Sequence, residues 1–183
     1  MYGALTDKQI EAIGHLVSGK TVWALGSGHD LQEARQLVGL GASTVYAVDK
    51  HRRHSTIEPR FARLSTHPKE AVIIDCWAYF GEFDQYVRES GIGCPDVVFV
   101  KWPAASGSSG IARLLAQTRL IVYVGLNDKI TACGTRELWR HLRARTLMSV
   151  IEDRKNTMLV YGEACEPVIE PRCEEELGAG DRW

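Results

Sequence analysis

The chain has 183 residues, 45% hydrophobic and 25% charged, which suits one domain able to bury a sizeable core. No stretch approaches the ~20 apolar residues of a membrane helix, the start Met1-Tyr2-Gly3-Ala4-Leu5 lacks a basic-then-apolar leader, and Cys76, Cys94, Cys133, Cys165 and Cys173 are scattered and odd in number, which argues against a disulfide framework or a zinc site. A cytoplasmic protein with reduced thiols and no metal is expected. The formal net charge of −1 is uneven: six acids and two bases from Glu166 onward leave 17 acids and 20 bases before it, too weak an excess to demand a nucleic-acid partner.

Thr6 with Gln9 three residues on forms a capping box for a first helix carrying Ile10, Ile13 and Val17 and ending at Gly19. Thr21 to Leu25 is a short apolar strand of the kind a buried parallel sheet requires. After the turn Gly26-Ser27-Gly28-His29, Asp30 is placed to cap a second helix, with Glu33 in the box position and Leu31, Ala34, Leu37 and Val38 as its buried stripe. Thr44 to Val48 is a second strand, ending at Asp49. Residues 50–69 are polar and irregular. Ala71 to Asp75 is a third strand, followed by a helix with Phe80, Phe83, Tyr86 and Val87, closed by Gly91. Asp96 to Val100 is a fourth strand, and a Ser/Gly-rich turn leads to a helix with Ile111, Leu114 and Leu115. Arg119 to Val124 is a fifth, followed by a helix capped by Thr135 with Leu138, Trp139 and Leu142 on one face. Two last strands, about Leu147 to Glu152 and Thr157 to Gly162, flank the polar turn Asp153-Arg154-Lys155-Asn156 and predict an antiparallel hairpin.

This alternation predicts an α/β fold: a doubly wound, mostly parallel seven-stranded sheet with helices on both faces and a C-terminal antiparallel hairpin. Residues 1–165 form the predicted domain, and 166–183 an acidic tail.

In such sheets ligands bind beyond the carboxyl ends of the strands. Gly26 and Gly28 let the backbone turn tightly beside a ligand, and the helix that follows offers free N–H groups. An ordinary strand-to-helix turn reads the same way. Asp49, 23 residues beyond Gly26, is placed where a carboxylate can accept both hydroxyl hydrogens of a ribose. His29 is a candidate base or carboxylate partner. The basic run Lys50-His51-Arg52-Arg53-His54 borders the same mouth, where it attracts a phosphate or is simply solvated.

The segments Val22 to Gly28 and Val45 to Asp49 resemble the first two motifs of class I S-adenosylmethionine-dependent methyltransferases, and the strand–helix series extends the resemblance from about Thr6 to Gly162. It implies that Gly26, Ser27 and Gly28 pass the methionine and ribose of S-adenosylmethionine, leaving S-adenosylhomocysteine as product, and that Asp49 holds the ribose. It places Asp75, Cys76 and Trp77 beside the adenine, with Asp75 accepting from its exocyclic amine and Trp77 packing on the ring. Lys101-Trp102-Pro103 stands at the family's fourth motif, which makes Lys101 and Trp102 catalytic candidates, Trp102 as a platform for a flat substrate and Lys101 as a partner for an anionic one or for the cofactor; a rigid turn with an exposed lysine and a packed tryptophan reads the same way. Asn127 and Asp128 are placed to line the acceptor pocket. Ala24 stands where the family often has an acid, Asp30 where it often has a glycine, and Lys101 where amino-methylating enzymes carry Asp, Asn or Ser.

Methyl transfer to a small molecule, nucleic acid or protein is the leading reading. Aminopropyl transfer or cofactor cleavage would use the same motifs. A catalytically silent binding subunit is a further alternative, and an NAD-binding oxidoreductase is disfavoured by Leu31, where its fingerprint wants a small residue.

Overall fold

A computed structural model of the chain describes residues 5–28, 30–50, 60–65, 71–103, 110–125, 134–152 and 156–164. In chain order the elements are α1 (Asp7–Val17), β1 (Thr21–Leu25), α2 (Gln32–Gly39), β2 (Thr44–Val48), β3 (Arg60–Ser65), β4 (Val72–Trp77), α3 (Phe80–Ser90), β5 (Val97–Lys101), α4 (Ile111–Ala116), β6 (Leu120–Gly125), α5 (Arg136–Arg143), β7 (Arg145–Glu152) and β8 (Thr157–Ala164). They build one sheet in the order β3-β4-β2-β1-β5-β6-β8-β7.

The middle five strands, β4-β2-β1-β5-β6, are parallel. Their side chains alternate between two cores, as a period of two demands when both faces are covered. Val22 and Ala24 of β1 join Ile13 and Val17 of α1 and Ala34 and Leu37 of α2. Trp23 and Leu25 face the other way, onto Phe83 of α3, Leu114 of α4 and Leu138 of α5. The Trp23 and Phe83 rings meet edge to face at 5.3 Å.

The capping box at Thr6 and Gln9 forms, Thr135 accepts from Leu138 N at 3.2 Å, and Gly91 closes α3 in the left-handed region. The final hairpin is antiparallel, and β8, not β7, lies against β6; residues 153–155 of its predicted turn lie outside the described residues.

Two local expectations are corrected. The sheet has eight strands, not seven: β3 pairs antiparallel with the edge of β4 within the segment read as irregular. As an edge strand it has no need of a continuous apolar run. Phe61 stacks on Tyr86 of α3 at 3.6 Å, while Arg60 and Arg63 stay exposed. At the start of α2 the cap shifts by one residue: Leu31 takes the N-cap position at φ 57°, and Asp30 Oδ1 accepts from Gln32 N at 3.2 Å. Glu33 forms no capping box because its side chain turns to the sheet.

The chain order fixes where a ligand can sit. From β1 the chain moves to β2 and β4 on one side, then crosses back to β5 on the other. The crossovers diverge beyond the carboxyl ends of β1 and β5, opening the crevice where doubly wound folds bind ligands.

Candidate functional site

Gly26, Ser27 and Gly28 leave β1 at this crevice. Gly26 adopts φ +86°, and a Cβ built on it would stand 2.3 Å from the carbonyl oxygen of Lys101. Only glycine lets the turn and the end of β5 approach so closely. Gly26 N and Ser27 N both donate to Val48 O, at 2.8 and 3.2 Å, which holds the turn against the end of β2. Gly28, at φ +74°, has only Asp30 Oδ1, 3.8 Å away, near a notional Cβ, so the turn is open there. Ser27 is buried.

Asp49 follows β2 and is only 5% exposed. Its Oδ2 accepts from Gly28 N at 2.7 Å, and its own N–H donates to Cys76 O at 3.1 Å. The two motifs read from the sequence are therefore joined by a charge-assisted hydrogen bond. A carboxylate has about four acceptor positions, so the bond to Gly28 is compatible with a bound diol. Lys50 is half-buried beside it.

At the end of β4, Asp75 Oδ2 accepts from the Trp77 indole N–H at 2.8 Å, and the Arg60 guanidinium lies over the Trp77 ring at 5.2 Å. One face of that indole is thus already engaged by a cation–π contact. Cys76 turns its thiol into the core, 3.4 Å from Ile74 O, and meets Asp49 through its backbone carbonyl.

Lys101 ends β5 and pairs with Glu33 of α2, the two side chains being 4% and 5% exposed. Burial pulls the Lys101 ammonium down to about 8, and Asp30 works in the opposite direction. Trp102 follows at φ 44°, a conformation that is costly for a bulky side chain and is held only where its surroundings over-determine it. Its N–H donates to Val124 O at 2.9 Å, and its half-buried ring packs at the edge of the core shared with β1 and α3.

The structure thus gathers Gly26, Ser27, Gly28, Asp49, Lys101 and Trp102 around one crevice, with Asp75 and Trp77 at the neighbouring strand end. His29, His51 to His54, Asn127 and Asp128 lie outside the described residues. Among the described residues no group of three metal-ligating side chains occurs, and no helix is long and apolar enough to cross a membrane. Sequence reasoning missed Glu33. Its signal was an acid one turn ahead of Leu37, beside the apolar stripe of α2, in a chain with a lysine closing an otherwise apolar strand.

No protein-family model matches the chain, and no curated protein does. Solved structures do. One is the ribosomal protein L11 methylase from Lactobacillus delbrueckii subsp. bulgaricus, 12% identical over 85% of this chain and 77% of that one, with a TM-score of 0.52. Another is a Clostridium thermocellum protein named "putative rRNA-methylase", 10% identical over 86% and 94%, with a TM-score of 0.51. At such identities the likeness is one of fold, and it is the class I S-adenosylmethionine-dependent methyltransferase fold.

Proposed function

We propose that the chain is a methyltransferase that uses S-adenosylmethionine. The observation that carries this reading is the bond from Gly28 N to Asp49 Oδ2, which brings the glycine turn and the strand-end acid together at the switch point of the sheet. The residues present fit the cofactor. Gly28 leaves open space where a side chain would intrude, Asp49 is a buried acceptor for a ribose, and Asp75 with Trp77 offers an acceptor and an aromatic edge to an adenine. When bound, the cofactor supplies an activated methyl group, so the protein's share of the work is alignment and exclusion of water. Trp102, set at the mouth in a constrained conformation, is the platform against which a planar acceptor would lie.

The pairing of Lys101 favours a second reading beside the first. A lysine held by Glu33 and nearly closed to solvent is not presented to an acceptor as a base, which is also what a silent cofactor-binding subunit would show. Titration calorimetry with S-adenosylmethionine, S-adenosylhomocysteine and NAD separates the cofactor classes. Micromolar binding of the two adenosyl ligands is expected, and Asp49→Ala should abolish it; preference for NAD, or no binding, would sink the proposal. Binding without transfer to ribosomal RNA or ribosomal protein, the acceptors suggested by the names of the two similar structures, would leave the silent subunit as the better reading.

A further inference from the structure

Arg145 opens β7, an edge strand of the sheet away from the candidate site, and it is 7% exposed. Its Nη2 donates to Leu115 O at the end of α4, 2.8 Å away, and lies 3.3 Å from His141 Nε2. Nε and Nη1 are buried and have no hydrogen-bond partner among the described residues. None of the ion pairs among those residues includes Arg145. Guanidinium stays protonated at neutral pH, and a buried cation demands a counter-ion.

Two further observations say where the anion comes from. Arg145 pairs across the hairpin with Ala164, the last described residue. Glu166 stands two positions on, and six carboxylates follow Ala164 with only two bases among them. The helix just before Arg145 is basic. Arg136, Arg140 and Arg143 of α5 are exposed, fall at i, i+4 and i+7 and so share one face, and have no carboxylate partner among the described residues. Residues 165–183 can span up to about 60 Å when extended, and the eight-residue α5 is only about 12 Å long, so reach is no obstacle.

We propose that the acidic segment 165–183 docks on this basic end of the molecule, one of its carboxylates serving as the counter-ion of Arg145. RNA phosphates would suit the exposed arginines of α5 equally well. The carboxylate is favoured because Arg145 is almost closed to solvent and its hairpin neighbour leads directly into the acidic segment. The proposal is independent of the assignment of the crevice.

The test uses the full chain in two backgrounds. One carries the native segment; in the other Glu166, Glu170, Glu174, Glu175 and Glu176 are changed to Gln and Asp181 to Asn. Arg145→Met is introduced into each, and denaturant unfolding is measured at low salt. With the acidic segment present, Arg145→Met should raise the unfolding constant. With the neutralised segment it should leave the constant unchanged or lower it, because the cation removed is then uncompensated. The two effects should differ about tenfold, as directly interacting groups do, and equal effects in both backgrounds overturn the proposal. If Arg145→Met does not fold, the NMR titration of His141 gives the answer with Arg145 intact. A carboxylate docked beside Arg145 raises the His141 pKa, so neutralising the segment must lower it. An unchanged titration overturns the proposal, and so does a rise on adding an RNA oligonucleotide that is equal in both backgrounds, which would assign the site to phosphate.

Discussion

Lys101 and Arg145 are both more than nine-tenths buried, one at the end of the interior strand β5 and the other on the edge strand β7, yet they meet different partners. Lys101 meets Glu33, a carboxylate delivered by the helix that follows the glycine turn. Arg145 meets a carbonyl oxygen and an imidazole but no carboxylate among the described residues. At the crevice the charge is balanced inside the core, by a pair that ties α2 to β5. At the sheet edge the described residues supply no balancing carboxylate. A site that must align two reactants to within a fraction of an ångström gains from the first arrangement.

The largest effect that would break this contrast is expected at Glu33. Glu33→Ala leaves Lys101 charged, buried and without its carboxylate, which should cost about 3–5 kcal/mol of stability. Adding Lys101→Met should restore most of that loss, because the buried charge that lost its pair goes with it. Denaturant unfolding of the single and double variants measures both. If Glu33→Ala proves as mild as an ordinary surface change, the pair is not what holds α2 to β5, and the two buried cations are alike.

Gly26→Ala comes next. The added Cβ meets the Lys101 carbonyl oxygen, part of the backbone, at a site with φ +86°. The turn or the end of β5 must move, at a cost of about 1–3 kcal/mol for the backbone strain alone. The same movement should abolish S-adenosylmethionine binding, checked by calorimetry on folded variant. Gly19, also at positive φ but with nothing within 4 Å of a notional Cβ, is the control. Gly19→Ala should cost less and leave ligand binding unchanged, which would show that the close approach to Lys101, not positive φ as such, is what the site requires.

The same contrast explains how much could be read in advance. The five parallel strands were legible because burial on both faces demands uninterrupted apolar runs, and the glycine turn and Asp49 because they fall at the ends of two such runs. The edge strand β3 was not, since Arg60 and Arg63 belong to a strand with one open side. Glu33 was misread for a different reason. Its spacing from Asp30 satisfied a local rule for helix starts, and only the fold brings Lys101 within reach, so a long-range charge pair overrode a local capping preference. The left-handed conformation of Trp102 had no sequence signal at all, because nothing in Lys101-Trp102-Pro103 is a residue that favours positive φ.

The smallest and most discriminating effect is the pH dependence of stability, because the two places should respond in different windows. Folding lowers Lys101 from 10.5 to about 8, so between those values the unfolded chain binds the extra proton and stability rises with pH. Burial holds Tyr46 and Tyr161 above 10.0, which works in the opposite direction at the alkaline end. The Lys101 contribution is therefore read as the difference between the native chain and Lys101→Met. Beside Arg145, His141 is lowered below 6.5 by burial and then by the arginine's charge. The unfolded chain takes up that proton first as pH falls, so stability declines from about 6.5 down to the folded value. His141→Gln should remove the acid-side slope and leave the alkaline one, and Lys101→Met should do the reverse. Were both slopes to vanish in either variant, the two buried cations would have to be coupled across the sheet, and the division between a self-balanced site and an externally balanced edge would fail.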